Sequence, residues 1–207
     1  MKYLIWLGAL SLWAQTEVHV QGVSDYVWRG FSQSDEGPAL QGGLDWQYKG
    51  FGLGAWGSSV KGLGDSGQDS DVEVDLTASF AFGLNDHLDL KAGLIGYRYL
   101  EHSGANLDEW HLGLESTSVQ LVLYRDFDAN YFYYTLSGAY ALAEKWDLSG
   151  TVGMLDVDAG GSFADALVTV TRRWPALEGW LAVSWSESDL ELAKTRFILG
   201  LKKAWTF

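Results

Sequence analysis

The chain has 207 residues, no cysteine, 25 glycines against 2 prolines, 11 tryptophans, 10 tyrosines and a formal net charge of -13. The missing cysteines exclude a disulfide framework and a thiolate metal site, and the acidity excludes a nucleic-acid surface, which needs a basic footprint. An acidic surface or bore attracts cations, and a mean hydropathy near zero is what apolar and polar residues give when they alternate.

At the start of the chain, Lys2 is a short positive n-region, and Tyr3 to Trp13 is a nearly unbroken apolar run followed by Ala14. That run is shorter than the roughly 20 residues a membrane helix needs, but it suits the core of a signal peptide. Residues 1–14 are therefore read as a signal peptide, with cleavage after Ala14 or Gln15, and 15–207 as the mature chain. No later apolar stretch is long enough for a spanning helix, so insertion into a membrane has to be as a barrel.

From there one texture repeats: alternating segments near 17–33, 38–49, 51–61, 70–83, 87–100, 107–116, 119–127, 130–143, 146–156, 163–174, 180–187 and 195–207. In the clearest, Val72, Val74, Leu76, Ala78, Phe80 and Phe82 share one face, and Asp71, Glu73, Asp75, Thr77 and Ser79 share the other. Side chains alternate across a strand, so each segment has one oily and one wet side. The last segment ends on Trp205 and Phe207. It looks like the closing strand of bacterial outer-membrane barrels, by which the barrel-assembly machinery is expected to take the chain.

The connections alternate too. Lys49-Gly50, Leu84-Asn85-Asp86, Ser116-Thr117-Ser118, Glu144-Lys145 and Pro175 to Gly179 are tight. Ser34 to Gly37, Gly62 to Asp69, Glu101 to Asn106, Asp126 to Ala129, Val157 to Ser162 and Ser188 to Lys194 are mostly longer and acidic. Short periplasmic turns and longer outer loops are the asymmetry of these barrels. The sequence thus predicts an all-β, transmembrane, antiparallel up-and-down barrel of about twelve strands with both termini periplasmic.

Aromatic side chains settle at the headgroup level of a membrane. Trp46, Trp146, Trp174, Trp180, Trp205 and Phe207 are assigned to a girdle at the periplasmic ends of the strands, and Tyr26, Trp28, Trp110, Phe132 and Tyr134 to one at the outer rim.

The run Ser24-Asp25-Tyr26-Val27-Trp28-Arg29-Gly30-Phe31-Ser32-Gln33-Ser34-Asp35-Glu36-Gly37-Pro38-Ala39-Leu40-Gln41-Gly42-Gly43 closely resembles the signature hairpin of a proteobacterial family long called Gcw_chp and now named the TorF porin family. Looser echoes are Glu73-Val74-Asp75-Leu76, Gly93-Leu94-Ile95 with Tyr97 and Tyr99, and Glu109 before Leu112-Gly113-Leu114. Leu100 departs from the family, whose members often carry proline there. The resemblance implies an outer-membrane barrel with pore activity. From the residues themselves, Asp35 to Pro38 is turn chemistry, with Gly37 free to take a positive φ.

If Tyr26 and Trp28 face lipid, then Asp25, Arg29 and Gln33 face inward, with Gln41 and Asp45 on the paired strand. The guanidinium of Arg29 then sits among carboxylates and amides that match its fork of donors. Other inward positions hold Glu17, His19, Asp71, Glu73, Asp75, Asp89, Glu109, His111, Glu115 and Asp147, against Lys91, Arg173, Arg196 and Lys202. A barrel of about twelve strands is roughly 24 Å across its backbone and leaves a bore of about 8–10 Å unless a loop fills it. The function expected is passive diffusion of small solutes through a bore whose carboxylates prefer cations.

Two other classes are weighed against it. An enzyme acting on lipid would have to use Glu101-His102-Ser103 with Asn106, where neighbouring residues on a strand point to opposite faces. A structural or adhesive barrel without an open pore would use its acidic loops, with Asp65, Asp69 and Asp71 or Asp156 and Asp158 as cation oxygens; neither stretch has EF-hand spacing. His111 with Glu109 and Glu115 is spaced at about 6.6 Å per step, loose for a metal site. No catalytic residue, metal or cofactor is assigned; the partners expected are outer-membrane lipid, lipopolysaccharide and small solutes.

Overall fold

The computed structural model describes residues 14–62, 69–128, 130–158, 160–187 and 194–207. Its strands are β1 (Gln15–Val23), β2 (Val27–Trp28), β3 (Phe31–Ser32), β4 (Ala39–Tyr48), β5 (Phe51–Lys61), β6 (Ser70–Asn85) and β7 (Leu88–Tyr99). They continue with β8 (Leu107–Glu115), β9 (Val119–Asp126), β10 (Tyr131–Ala143), β11 (Trp146–Val157), β12 (Gly161–Arg173), β13 (Glu178–Ser186) and β14 (Arg196–Thr206). Twelve of these close into one barrel in the order β1-β14-β13-β12-β11-β10-β9-β8-β7-β6-β5-β4, and every neighbour is antiparallel. Among the described residues no helix is long and apolar enough to cross a membrane.

Closure depends on the last strand. β14 pairs with β1 from Glu17↔Thr206 to Val23↔Gly200, and Phe207 exchanges both backbone hydrogen bonds with Thr16, at 2.9 and 3.2 Å. A closed sheet has no unpaired edge, the condition for strands to sit in hydrocarbon. The outer skin follows from alternation: Leu44, Leu53, Leu76, Phe80, Leu94, Leu112, Leu136, Val152, Val168, Leu181, Leu199 and Leu201 are all exposed. The alternate residues point into a polar interior in which Gln41, Glu73, Asp75, Glu109, Thr169 and Ser184 are buried. Such a body is stable only with lipid outside, and it is the architecture of the bacterial outer membrane.

The predicted strands agree with those observed to within a few residues, with one exception that matters. The segment 17–33 is not one strand. β1 stops at Val23, where Ser24 still bonds Leu199 through its backbone N–H (2.8 Å) and its Oγ (2.9 Å). The chain then leaves the wall and forms a small separate hairpin, β2–β3, before rejoining at β4. β4 nevertheless pairs with β1 directly along its length, from Gln15↔Gln47 to Val23↔Ala39. The hairpin is therefore an insert and not a part of the wall.

Two girdle assignments fall with that change, and a third for a different reason. Tyr26 is buried against Trp56 and Trp28 is half-buried against Tyr97, both rings edge-on, so neither faces lipid. Trp180 shares the inward parity of Ala182, Ser184 and Ser186 on β13 and packs on the buried cluster of Val23, Tyr26 and Ile198. Trp46, Trp110, Trp146, Trp205 and Phe207 lie on the outward parity of their strands, and Trp174 follows β12 with its ring exposed. Gly37 does not take the positive φ either; Asp35 (53°) and Glu36 (57°) do, with Gly37 N–H closing on Ser34 O at 3.0 Å. The polar side chains of Ser32 and Ser34 bond the local backbone there, which is how such a turn tolerates residues other than glycine. Residues 1–13 of the expected signal peptide, Asp65 and residues 188–193 lie outside the described residues.

Candidate functional site

The hairpin turns into the bore at the end where the long loops lie. At its tip Arg29 (φ 49°) and Gly30 (φ 83°) both have positive φ, with Val27↔Ser32 and Trp28↔Phe31 as the flanking pairs. Positive φ at both central residues is a type I′ turn, which matches strand twist and favours a glycine. Here glycine is also required by space. A Cβ on Gly30 would stand 2.7 Å from Ser186 Cβ on β13 and 3.0 Å from Asp165 Cβ on β12.

Arg29 is the centre of the site. Its Nη2 donates to both oxygens of Glu109, at 2.7 and 2.8 Å, and neither side chain is more than 5% exposed. Glu109 also accepts the hydroxyls of Tyr97 (2.8 Å) and Tyr131 (2.6 Å). Around the guanidinium stand the rings of Tyr133 at 4.2 Å, Trp28 at 4.3 Å, and Tyr124 and Tyr131 at 5.4 Å. Tyr133 in turn donates to Asp165 at 2.9 Å. A cation fixed by a carboxylate and by the faces of four rings, away from water, is held by charge-assisted hydrogen bonds and cation–π attraction together.

The base of the hairpin is tied separately. Arg196 of β14 pairs with Asp25 at 3.1 Å and with Glu36 at 3.2 Å, and its Nη1 donates to Lys194 O at 3.1 Å. Ser32 Oγ donates to Asp25 at 2.6 Å, and Lys61 N–H reaches Gln33 O at 2.9 Å. Lys194 stands 2.5 Å from Glu36, and this hydrogen bond holds the Glu36 carboxyl below its ordinary value. A lowered value means that the contacts Glu36 makes with Lys194 and Arg196 are in place at neutral pH and are lost as acid protonates Glu36.

The effect is to fill the half of the bore at the long-loop end. Each of the twelve wall strands contributes a buried inward residue at this level, among them Val60, Asp75, Tyr97, Glu109, Tyr124, Tyr133, Gly153 and Ala182. A cavity of about 20 Å³ remains beside Tyr26, Val27, Leu167 and Trp180, room for about one water. The other half, at the tight-turn end, keeps inward side chains such as Gln47, Thr77, Ser79, Asp89, Lys91 and Asp147 partly exposed. The bore is a vestibule that ends at a plug.

All the residues assigned to the bore point inward, but the structure divides them between two places. Asp25, Arg29, Gln33 and Arg196 belong to the hairpin and its base, Glu109 to its cage, and Gln41, Glu73 and Asp75 to the buried wall around it. Gln41 accepts from Gln21 at 2.5 Å and donates to Ser58 at 3.2 Å. In the vestibule, Lys91 pairs with Glu115, Arg173 with Asp147, and Lys202 with Glu17 at 2.9 Å. Asp45 lies 3.9 Å from His19, and Asp89 also faces in. His111 lies against Tyr124 (ring centroids 5.5 Å apart), away from any metal-binding arrangement; among the described residues no three ligands are spaced for one.

Tyr97, Tyr131, Tyr133 and Asp165 are site residues that the sequence reading does not assign to the bore. Their signal is parity: Tyr131 and Tyr133 alternate with Phe132 and Tyr134, so one pair faces lipid and the other the cage. On the loop that follows β7, His102 Nδ1 meets Asp71 at 3.0 Å, and Asp71 also accepts the N–H groups of Glu101 and His102 at 3.0 Å each. No serine hydroxyl meets that imidazole among the described residues, so the loop holds an oriented histidine without a nucleophile.

The barrel is similar in fold to the KdgM porin, with a TM-score of 0.68 at 11% identity over 91% of this chain and 99% of that one. It is also similar to the COG4313 outer membrane channel from Pseudomonas putida F1, with a TM-score of 0.59 at 16% identity over 96% and 97% of the two chains. LpxR from Salmonella typhimurium gives 0.56 at 8% identity over 92% and 100%. At such identities the likeness is one of fold. A comparison with curated proteins found no match. Residues 14–191 match the family described as "Bacterial protein of unknown function (Gcw_chp)", and the match takes in the caged hairpin and all wall strands but the last, so the chain belongs to the Gcw_chp family.

Proposed function

We propose that this protein is an outer-membrane channel for passive diffusion of small solutes, cation-preferring, with its tight turns and both termini in the periplasm. That is the porin role implied by the resemblance of the signature hairpin to the TorF family. One observation carries the reading: the interior of a sealed barrel is lined on every side by polar groups in which carboxylates outnumber cations. Asp45, Asp89 and Glu178 add to the paired Glu17, Glu115 and Asp147 in the vestibule, against Lys91, Arg173 and Lys202. A ring of fixed negative charge raises the local cation concentration and with it cation flux. Conduction in this reading requires the β2–β3 hairpin to withdraw from its cage. The signal peptide at 1–14 and recognition of the Phe207 strand by the barrel-assembly machinery belong to the same proposal.

Reconstitution in planar bilayers under a KCl gradient tests it. The reversal potential is expected on the potassium side of zero, moving toward zero when Asp45 and Asp89 are both changed to asparagine. Reversal on the chloride side would remove the cation preference, and absence of any conductance, with the plug deleted, would remove the channel. The rival is an enzyme acting on lipid through the Glu101-His102-Ser103 loop. It is disfavoured by the lone His102–Asp71 pair, and release of fatty acid from lipid would revive it.

A further inference from the structure

The outer skin of the barrel has a broad dent at its closing seam. Along a single cross-strand row, the outward residues are Leu40, Gly22, Leu201, Gly179, Arg172 and Trp146, each opposite the next on β4, β1, β14, β13, β12 and β11. Two of the six are glycines, and at Gly179 the Trp174 and Leu201 side chains close in, 2.8 and 3.1 Å from where its Cβ would stand. A Cβ on Gly22 would meet nothing within 4 Å. The result is an apolar groove of about 1130 Å³ that slants across the closing seam of the barrel toward the tight-turn end. That exceeds the roughly 300–1,000 Å³ of small-molecule pockets.

The lower end of the groove is chemically distinct. Arg172 points outward there, its guanidinium 5.2 Å from the ring of Trp146 and 5.1 Å from that of Trp174. Among the described residues no carboxylate pairs with it. An outward-facing cation between two indoles, at the depth where indoles mark the headgroup layer, is complementary to a phosphate whose chains run up the apolar groove.

We propose that this groove is a specific glycerophospholipid site: the acyl chains lie over Gly22 and Leu201, and the phosphate rests on Arg172. The choice of glycerophospholipid rests on the periplasmic placement of the tight turns proposed above, which puts Arg172 in the inner leaflet. Because the site crosses the β1–β14 seam, a bound lipid covers the junction where the two ends of the sheet meet.

Native mass spectrometry of the full chain in mild detergent tests this without reference to conductance, so a failed channel reading leaves the result intact. With phosphatidylethanolamine or phosphatidylglycerol added, one lipid is expected to survive activation that strips the rest, whereas diacylglycerol, which lacks the phosphate, is not retained. Arg172→Gln and Gly22→Leu should each reduce the retained fraction at least tenfold, while Arg125→Gln, on the outward face of β9, leaves it unchanged. Gly22→Leu fills open space, so its barrel stays folded even if Arg172→Gln does not. Equal retention in all variants, or equal retention of diacylglycerol, would reduce the site to ordinary annular lipid. A dimer that disappears in Gly22→Leu would show that a second copy occupies the groove and would overturn the proposal.

Discussion

Arg29→Ala is expected to raise the open probability of the proposed channel by roughly two to four orders of magnitude in single-channel recordings. The substitution leaves Glu109, which is 0% exposed, without the cation that its burial requires. Breaking a buried pair in this way costs about 3–5 kcal/mol, and each 1.36 kcal/mol is about a factor of ten. Withdrawal of the hairpin relieves that cost because it lets water reach the carboxylate. The barrel itself should survive, since β1 and β4 pair with each other and not through the hairpin; its gel shift between boiled and unboiled samples is the control. Arg29→Ala combined with Glu109→Gln should close the bore again in part, because no unpaired charge then remains. An unchanged open probability in Arg29→Ala would show that the cage is not what holds the hairpin.

The second large effect concerns sidedness. Leu136→Arg, in the middle of the outward face of β10, is expected to cost about 2–4 kcal/mol of stability in lipid vesicles, the depth-dependent penalty for a lipid-facing cation. Ser79→Arg places the same side chain on the inward, partly exposed face of β6 and should cost less than about 1 kcal/mol. Urea titration followed by tryptophan fluorescence gives both values. If the two variants were equally stable, the oily skin and the wet interior would not be where alternation puts them.

Most of the wall was legible because a half-lipid, half-water environment imposes a period of two that no helix satisfies. Val72 to Phe82 is the plain case: every residue assigned outward is outward, and every carboxylate assigned inward is inward. The bore residues were legible for the same reason, since Glu109, Glu115, Lys91 and Arg173 have no tolerable place in hydrocarbon. The errors fall on aromatics. Trp28 and Trp180 were assigned to the girdle because an indole suits a headgroup layer, but it also suits a tyrosine-lined cage, and residue type does not distinguish the two. For Trp180 the answer was present as parity with Ser184 and Ser186. For Trp28 it was not, because alternation continues through a hairpin that has left the wall.

By itself, then, the sequence determined the compartment, the barrel of about twelve strands, the side of the sheet that the charged and aliphatic wall residues face and the acidity of the interior, all consequences of partition between oil and water read one strand at a time. Only the tertiary structure decided that residues 24–38 turn into the bore and that Arg29 reaches Glu109, 80 residues away in the chain. The reason is that this contact joins opposite walls of a closed ring. It exists only once twelve strands have fixed the ring's diameter, and no local pattern records that distance.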